Sequence, residues 1–452
     1  MEDNKNLIYQ LDGRPSLKYA FPLGMQHVLA MFVSNIAPIL ILASAINLSP
    51  EDTRVMVQAV MFTSGVTTLL QLYSIKIGKI RIGNRLPVVM GISFAFVSVA
   101  TSVGVEYGLG AVFGASIIAA FLEVIIGLTY KYIKDIFNPL VTGSLLVALG
   151  LYLIGVGADY YLGGFGEYRG TPQALGVATV TLFVVLALRI YGKGILKSSS
   201  VLIGMIVGYV ISIAIGMVNF SGIGELSFVS FRQLQPFAVA KPEFVLPAIV
   251  SFVVVYFATA VETIGDTKGV CVGGLNREAT EEEISGGLLG DATGSIFASI
   301  FNGLPNTSFG QNVGIVSSTK IVNRFVIATG AMFLIVISFF PQFAEFFRLI
   351  PDAVLGGALI TVFAIITANG LKVLEQAGPS DNNLFILAIA FAIGLGLGGN
   401  ETFLGAVPSF IGMFFSTTVA TTAIVAIIAS FVIKPDYSKG TYGIEENSYI
   451  EE

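Results

Sequence analysis

Residues 201–218 read VLIGMIVGYVISIAIGMV, eighteen positions without a charged side chain, and comparable apolar runs recur along the whole chain. A transmembrane helix needs about 20 mostly apolar residues, so a chain built from such runs must solve its fold in lipid. Composition agrees: 54% of the 452 residues are hydrophobic and 12% are charged, against about 25% charged in soluble domains. Mean hydropathy is +0.84. The first apolar segment follows acidic and polar residues and has no small-residue cleavage site, which marks it as a retained helix. The expected fold is an all-α polytopic membrane protein.

Hydropathy with Pro, Gly and charge punctuation predicts fourteen spans. They divide the chain into a cytoplasmic N-terminal tail at 1–18, a first repeat of seven spans at 19–218, an extracellular linker at 219–243, a second repeat of seven at 244–433 and a cytoplasmic tail at 434–452. Of 24 Lys and Arg, only Arg54, Arg169, Arg232, Lys241 and Arg348 fall in the expected outside segments. That bias follows the positive-inside rule and places both termini in the cytoplasm.

Two spans are interrupted. LPVVMGISFAF at 86–96 opens the third, and PNTSFGQNVGIVSST at 305–319 is the tenth. Both hold Pro, Gly and Ser where a helix should be continuous. If the two halves are inverted repeats, these segments occupy the same position in each, and Pro87 and Pro305 stand 218 residues apart. Short broken segments at matching positions of two inverted halves mark a midplane binding site. Irregular backbone survives at that depth only where it is buried in protein or lines a cavity.

Ionisable groups inside spans are few: His27, Glu123, Glu262, Asp266 and Asp291. A carboxylate at the centre of a span costs about 2.5–3.5 kcal/mol on insertion scales, so each needs a partner or a cavity. Glu262 and Asp266, in AVETIGDTKG, are spaced i, i+4 and stack on one helical face. Asp291 lies among small residues in GLLGDATGS and reads as a proton site or a buried hydrogen-bonder. His27 reads as a proton carrier or a core histidine, and Glu123 as structural or domain-bridging.

Covalent and metal chemistry have no motif here. There is no Cys/His ligand cluster, no GxSxG and no HExxH, so no catalytic residues, cofactor or metal are expected. GLGLGGN at 394–400 lies in an apolar span, where small residues serve helix packing. The formal charge of −5 implies no nucleic-acid partner, and the single cysteine, Cys271, excludes an internal disulfide.

Gln311-Asn312-Val313-Gly314 followed by Thr319-Lys320 resembles the signature of the nucleobase–ascorbate transporters, also called nucleobase:cation symporter-2. GMQHVLAMF at 24–32, LPVVMGISFAF at 86–96, ETIGD at 262–266, GLLGDATGS at 287–295 and IPDAVLGG at 350–357 extend the resemblance over most of the chain. It implies two inverted seven-span repeats split into a core domain (spans 1–4 and 8–11) and a gate domain (5–7 and 12–14). Short extended pieces are implied in spans 3 and 10. It further implies alternating access of core against gate, proton-coupled uptake across the cytoplasmic membrane with Na⁺ not excluded, and a homodimer formed through the gate.

Residue by residue, the resemblance assigns substrate binding to Glu262, Gln311, Phe94, Ser93, Ala95, Asn312 and Gly310, and proton coupling to Asp291, Asp266 and His27. Gln at 311 and Asp at 266, where uracil members have Glu and His, resemble the xanthine and uric-acid branch. A neutral amide can both donate and accept toward a purine's lactam groups, whereas a carboxylate only accepts. The alternatives are a uracil or pyrimidine permease of the same family, or an anion transporter on a similar seven-plus-seven fold.

Overall fold

The computed structural model describes residues 6–164, 167–408, 412, 415 and 417–440. Fourteen helices of ten or more residues occur among the described residues. In chain order they are α1 Leu17–Ala45, α2 Pro50–Tyr73, α3 Ala95–Tyr107, α4 Leu109–Ile133, α5 Pro139–Tyr161, α6 Pro172–Tyr191 and α7 Ser200–Ala214. The second half holds α8 Leu246–Leu275, α9 Glu281–Ile300, α10 Gly310–Thr319, α11 Arg324–Ile337, α12 Asp352–Ala377, α13 Asp381–Leu397 and α14 Thr418–Ile433. Seven of them (α1, α2, α4, α5, α6, α8 and α12) are long and apolar enough to cross a membrane. An eighth candidate is α11 with the helix Pro341–Arg348, bent by 90°.

The helix starts are written locally. Asn138 Oδ1 accepts from the backbone of Leu140 (3.0 Å) and Val141 (3.1 Å), with Pro139 at the first helical position of α5. Thr171–Pro172 opens α6 in the same way, and Thr280 with Glu283 forms a capping box on α9. Each device satisfies N–H groups that the first helical turn leaves without an internal acceptor.

The interrupted segments are where the helical rule fails. Pro87 and Pro305 each push the preceding residue toward extended backbone. Met90–Ile92 forms strand β3 and Asn306–Ser308 forms β4; β1 and β2, Ile75–Ile77 and Ile80–Ile82, make a separate hairpin. β3 and β4 pair antiparallel, with Met90 opposite Ser308, Gly91 opposite Thr307 and Ile92 opposite Asn306. Helices α3 and α10 follow them, starting 215 residues apart (95 and 310), as α4 and α11 do (109 and 324).

Packing falls into two groups. Helices α1–α4 pack among themselves and with α8–α11, while α5–α7 pack with α12–α14. The tightest seam of the second group is α5 on α12. Gly143, Gly150 and Gly157 recur every seven residues there, and a methyl at Gly157 would stand 3.1 Å from Phe363 Cδ2 and Ile360 Cγ1. Small residues at a helix seam let backbones approach closely in lipid.

Two features mark the ends of the chain. In the N-terminal segment Ile8 is buried and its carbonyl accepts from the backbone of Val322 and Asn323. Of the last predicted span, α14 covers Thr418–Ile433; residues 409–411, 413, 414 and 416 before it lie outside the described residues, as do 1–5 and 441–452 of the tails.

Candidate functional site

The site is built on backbone that a helix would have satisfied and a broken span must satisfy otherwise. The β3–β4 ladder supplies some partners, and helices supply the rest. Thr68 Oγ1 accepts from Met90 N at 2.9 Å and Asn35 Oδ1 from Ile92 N at 2.8 Å. Ser295 Oγ donates to the Asn306 carbonyl at 2.7 Å, and Phe309 N donates to the Val89 carbonyl at 3.0 Å. A Cβ at Gly91 would stand 2.5 Å from Phe309 Cε2 and 2.6 Å from Asn35 Oδ1, so only glycine fits beneath that ring.

The strand pair reaches one face of α8. Ser93 Oγ donates to Glu262 Oε2 at 2.9 Å, and Ser308 Oγ donates to Asp266 Oδ2 at 2.6 Å. Between the two acids Gly265 is exposed, and a Cβ there would meet nothing within 4 Å. Gly310 and Gly314, on the neighbouring α10, are exposed as well. A Cβ at Gly310 would lie 3.1 Å from Asp266 Oδ1. This face of α8 therefore borders open space deep in the helix bundle.

The sequence-predicted residues divide between this face and the protein behind it. Gln311 is half-buried and its Oε1 receives no hydrogen bond. Asn312 is buried; its Nδ2 donates to the His27 carbonyl at 3.1 Å and lies 3.1 Å from His27 Nδ1. His27 is thus joined to α10 and is not among the acids. Asp291 is fully buried, with Oδ2 accepting from Thr263 and from Thr307, the latter at 2.9 Å. Phe94, before the first turn of α3, meets Phe363 of α12 edge-on with ring centroids 5.1 Å apart, and Ala95 N donates to Ser93 Oγ at 3.1 Å.

Sequence reasoning missed Asn35, Thr263, Thr307, Ser308 and Phe363. Their partners lie 16 or more residues off in the chain, and the one signal that could have found Asn35 is a polar position inside an apolar helix. A cavity of about 950 Å³ opens elsewhere, between α1, α2 and α11; its walls include Leu17, Phe21, Met332 and Phe333 and none of the residues above. Its polar groups are Asp12, Arg14, Tyr73, Arg324 and Thr329, of which Arg324 and Asp12 are already taken up in an ion pair, whereas the α8 face gathers two acids, two serines and Gln311 beside broken backbone; the latter is the candidate site.

A bundle of apolar helices interrupted at depth by a short, buried antiparallel strand pair, beside two acids on one helix face, is the architecture of a membrane transport protein. The fold is similar to the transmembrane domain of the cyanobacterial bicarbonate transporter BicA (TM-score 0.55, 14% identity, 93% of this chain and 98% of that one). It is also similar to murine Slc26a9, an anion transporter, in its inward-facing state (TM-score 0.63, 11% identity, 95% and 70% covered). Residues 18–404 match the Xan_ur_permease profile, described as Permease family. The chain is 32% identical over 413 residues to the xanthine permease of Bacillus subtilis strain 168 (91% of this chain, 92% of that one). It is 33% identical over 380 residues to the uric acid transporter UacT of Escherichia coli K12 (82% and 77%), and 29% over 450 residues to that organism's xanthine permease XanQ (96% and 95%). The chain belongs to this permease family, the nucleobase–ascorbate transporters.

Proposed function

We propose that the protein imports an oxidised purine, xanthine or uric acid, across the cytoplasmic membrane by proton symport. The observation that carries this reading is the pairing of Ser93 with Glu262 and of Ser308 with Asp266 on the side of α8 that holds the exposed Gly265. Glu262 accepts from ring N–H groups of the base, and Gln311, whose Oε1 has no protein donor, reads the opposite polar edge. Phe94 offers its ring for stacking. The buried Ser93 and Ala95 and the exposed backbone of Gly310 complete the cradle, with Asn312 held in place through His27. Buried polar groups left unpaired by a wrong base give such a site sharp selectivity.

Proton binding at Asp291 or Asp266 favours the loaded state, and each charge carried inward gains about 2.3 kcal/mol per 100 mV. The two packing groups support alternating access: α1–α4 with α8–α11 act as core, and α5–α7 with α12–α14 as gate, the Phe94–Phe363 contact lying between them. We assign 19–218 and 244–433 as inverted repeats, both termini to the cytoplasm, and a homodimer through the gate.

The test is uptake of radiolabelled xanthine into cells lacking their own purine permeases, at two external pH values, with uracil and urate as competitors. Accumulation that rises at acid pH, is inhibited by urate and resists uracil is the expected result. Full competition by uracil would move the substrate to pyrimidines. Uptake indifferent to pH and to a protonophore would remove proton coupling.

A further inference from the structure

Glu123 is a buried acid to which the proposed mechanism gives no role and, unlike Glu345 with its arginines, it has no ion pair among the described residues. It lies on α4, fully buried, and neither of its carboxyl oxygens receives a hydrogen bond from an N–H or O–H group. Asp291 on the adjoining α9 is fully buried too, and its Oδ1 likewise receives none. The two carboxyl groups lie against each other at hydrogen-bonding range. Glu123 therefore sits inside the first helix group, with Asp291 of that same group as its neighbour.

The surroundings offer no compensating cation. Thr263 from α8 and Thr307 from β4 take Asp291 Oδ2, leaving Oδ1 for Glu123. The other titratable neighbours are Tyr256, Glu262 and Asp266, all from α8. Tyr256 Oη is in hydrogen-bond contact with Ser116 Oγ at 3.2 Å. Among the described residues, no ion pair involves Glu123 or Asp291. Two ionised carboxylates are acceptors only and cannot bond to one another. One proton between them turns a repulsive contact into an O–H···O⁻ bond and gives Asp291 Oδ1 and one Glu123 oxygen a partner.

We propose that Glu123 and Asp291 form a proton-sharing carboxyl pair, with Glu123 the positioning residue that holds the transported proton on Asp291. The proposal rests on the proton-symport reading above. One proton from the aqueous cavity adds to a carboxylate oxygen of the doubly ionised pair, and the new O–H is shared with the facing oxygen. Its release returns it to water and leaves two like charges in contact. Thr307 ties Asp291 to β4, where the next residue, Ser308, holds Asp266. Charge on the pair is thereby transmitted to the strand that borders the substrate face.

The experiment uses the purified full chain in proteoliposomes, comparing wild type with Glu123→Gln, Glu123→Met and Asp291→Asn. A Gln side chain can donate its N–H to Asp291 Oδ1 without carrying charge. The pH of half-maximal xanthine uptake should move down by about one unit or more in Glu123→Gln, a tenfold or greater loss of proton affinity, and in the same direction in Glu123→Met. The KM at the acidic plateau should stay within about twofold, since the loaded state is the same. An unmoved pH profile in a folded Glu123 variant overturns the proposal.

Infrared spectroscopy gives a readout independent of transport and of the variants' yield. Wild type at neutral pH should show the C=O stretch of a protonated carboxyl, sensitive to deuteration and lost in Asp291→Asn. Absence of that band overturns the shared proton even if symport stands. If wild-type uptake ignores pH while the band is present, the symport reading fails and the pair remains.

Discussion

Ser308 Oγ donates to Asp266 Oδ2 at 2.6 Å, and Ser93 Oγ repeats the relationship with Glu262 Oε2 at 2.9 Å, one helical turn away. Two serines from two halves of the chain, at the ends of paired strands, thus hold two acids of a single helix face. A hydrogen bond to a charged group contributes about 1.5–3 kcal/mol. Ser93→Ala should therefore raise the KM for xanthine by roughly tenfold or more, because a freed Glu262 loses its orientation toward the base. Glu262→Gln should abolish saturable uptake. Equal KM in Ser93→Ala and wild type would detach Ser93 from the site.

Gly91 carries a steric prediction that needs no substrate. With Phe309 and Asn35 at 2.5 and 2.6 Å from where a methyl would sit, Gly91→Ala must separate β3 from β4 or displace the ring. Overpacking of this kind typically costs about 1–3 kcal/mol. Thermal unfolding of the detergent-purified variant, followed by size-exclusion fluorescence, should report that loss. Gly314→Ala, where no atom lies within 4 Å, should unfold with wild type.

Much of this architecture was legible because lipid permits so few backbone solutions. Long uncharged runs had to be helices, and Pro87 and Pro305 had to break two of them. The i, i+4 spacing of Glu262 and Asp266 put both acids on one face, and the structure places them there. Their partners were not legible, since Ser93 lies 169 residues from Glu262 and Ser308 lies 42 from Asp266. A three-residue strand carries no periodicity of its own; its pairing depends on Thr68, Asn35 and Ser295 from other helices. Glu123 stayed opaque for the same reason, because only the α4–α9 contact reveals that its neighbour is another acid.

Gln311 and Asn312 are adjacent in sequence and opposite in environment, so they should fail differently. Gln311→Glu replaces an amide that can donate and accept with a group that only accepts. Competition assays should show xanthine affinity falling about tenfold or more with protein yield unchanged. Asn312→Ala instead removes the link to His27 behind the site and takes from the buried His27 Nδ1 its partner on α10. Leaving a buried group unsatisfied costs about 1–3 kcal/mol, so this variant should lose thermal stability as well as uptake. A stable, inactive Asn312→Ala would move Asn312 from the scaffold to the substrate.

The start of α9 offers a stability prediction with a defined pH dependence. Glu283 accepts from Arg277 Nη2 at 2.6 Å and from Thr280 N at 2.9 Å, while Thr280 Oγ1 accepts from Glu283 N at 3.2 Å. Burial alone would raise the Glu283 carboxyl, but the bonds from Arg277 and Thr280 outweigh it and hold the group below its ordinary value of 4.5. A carboxyl depressed by folding stabilises the native state above its unfolded value, and that contribution fades as pH falls through the folded one. Glu283→Gln should thus lower stability by about 1 kcal/mol at neutral pH, the usual worth of a helix cap. The difference from wild type should shrink steadily below about pH 4.5 as the wild-type carboxyl takes up its proton. Melting curves of both proteins at neutral and acidic pH check the sign. A gap that widens on acidification would mean that Glu283 is stabilised in its protonated form, against the geometry of its donors.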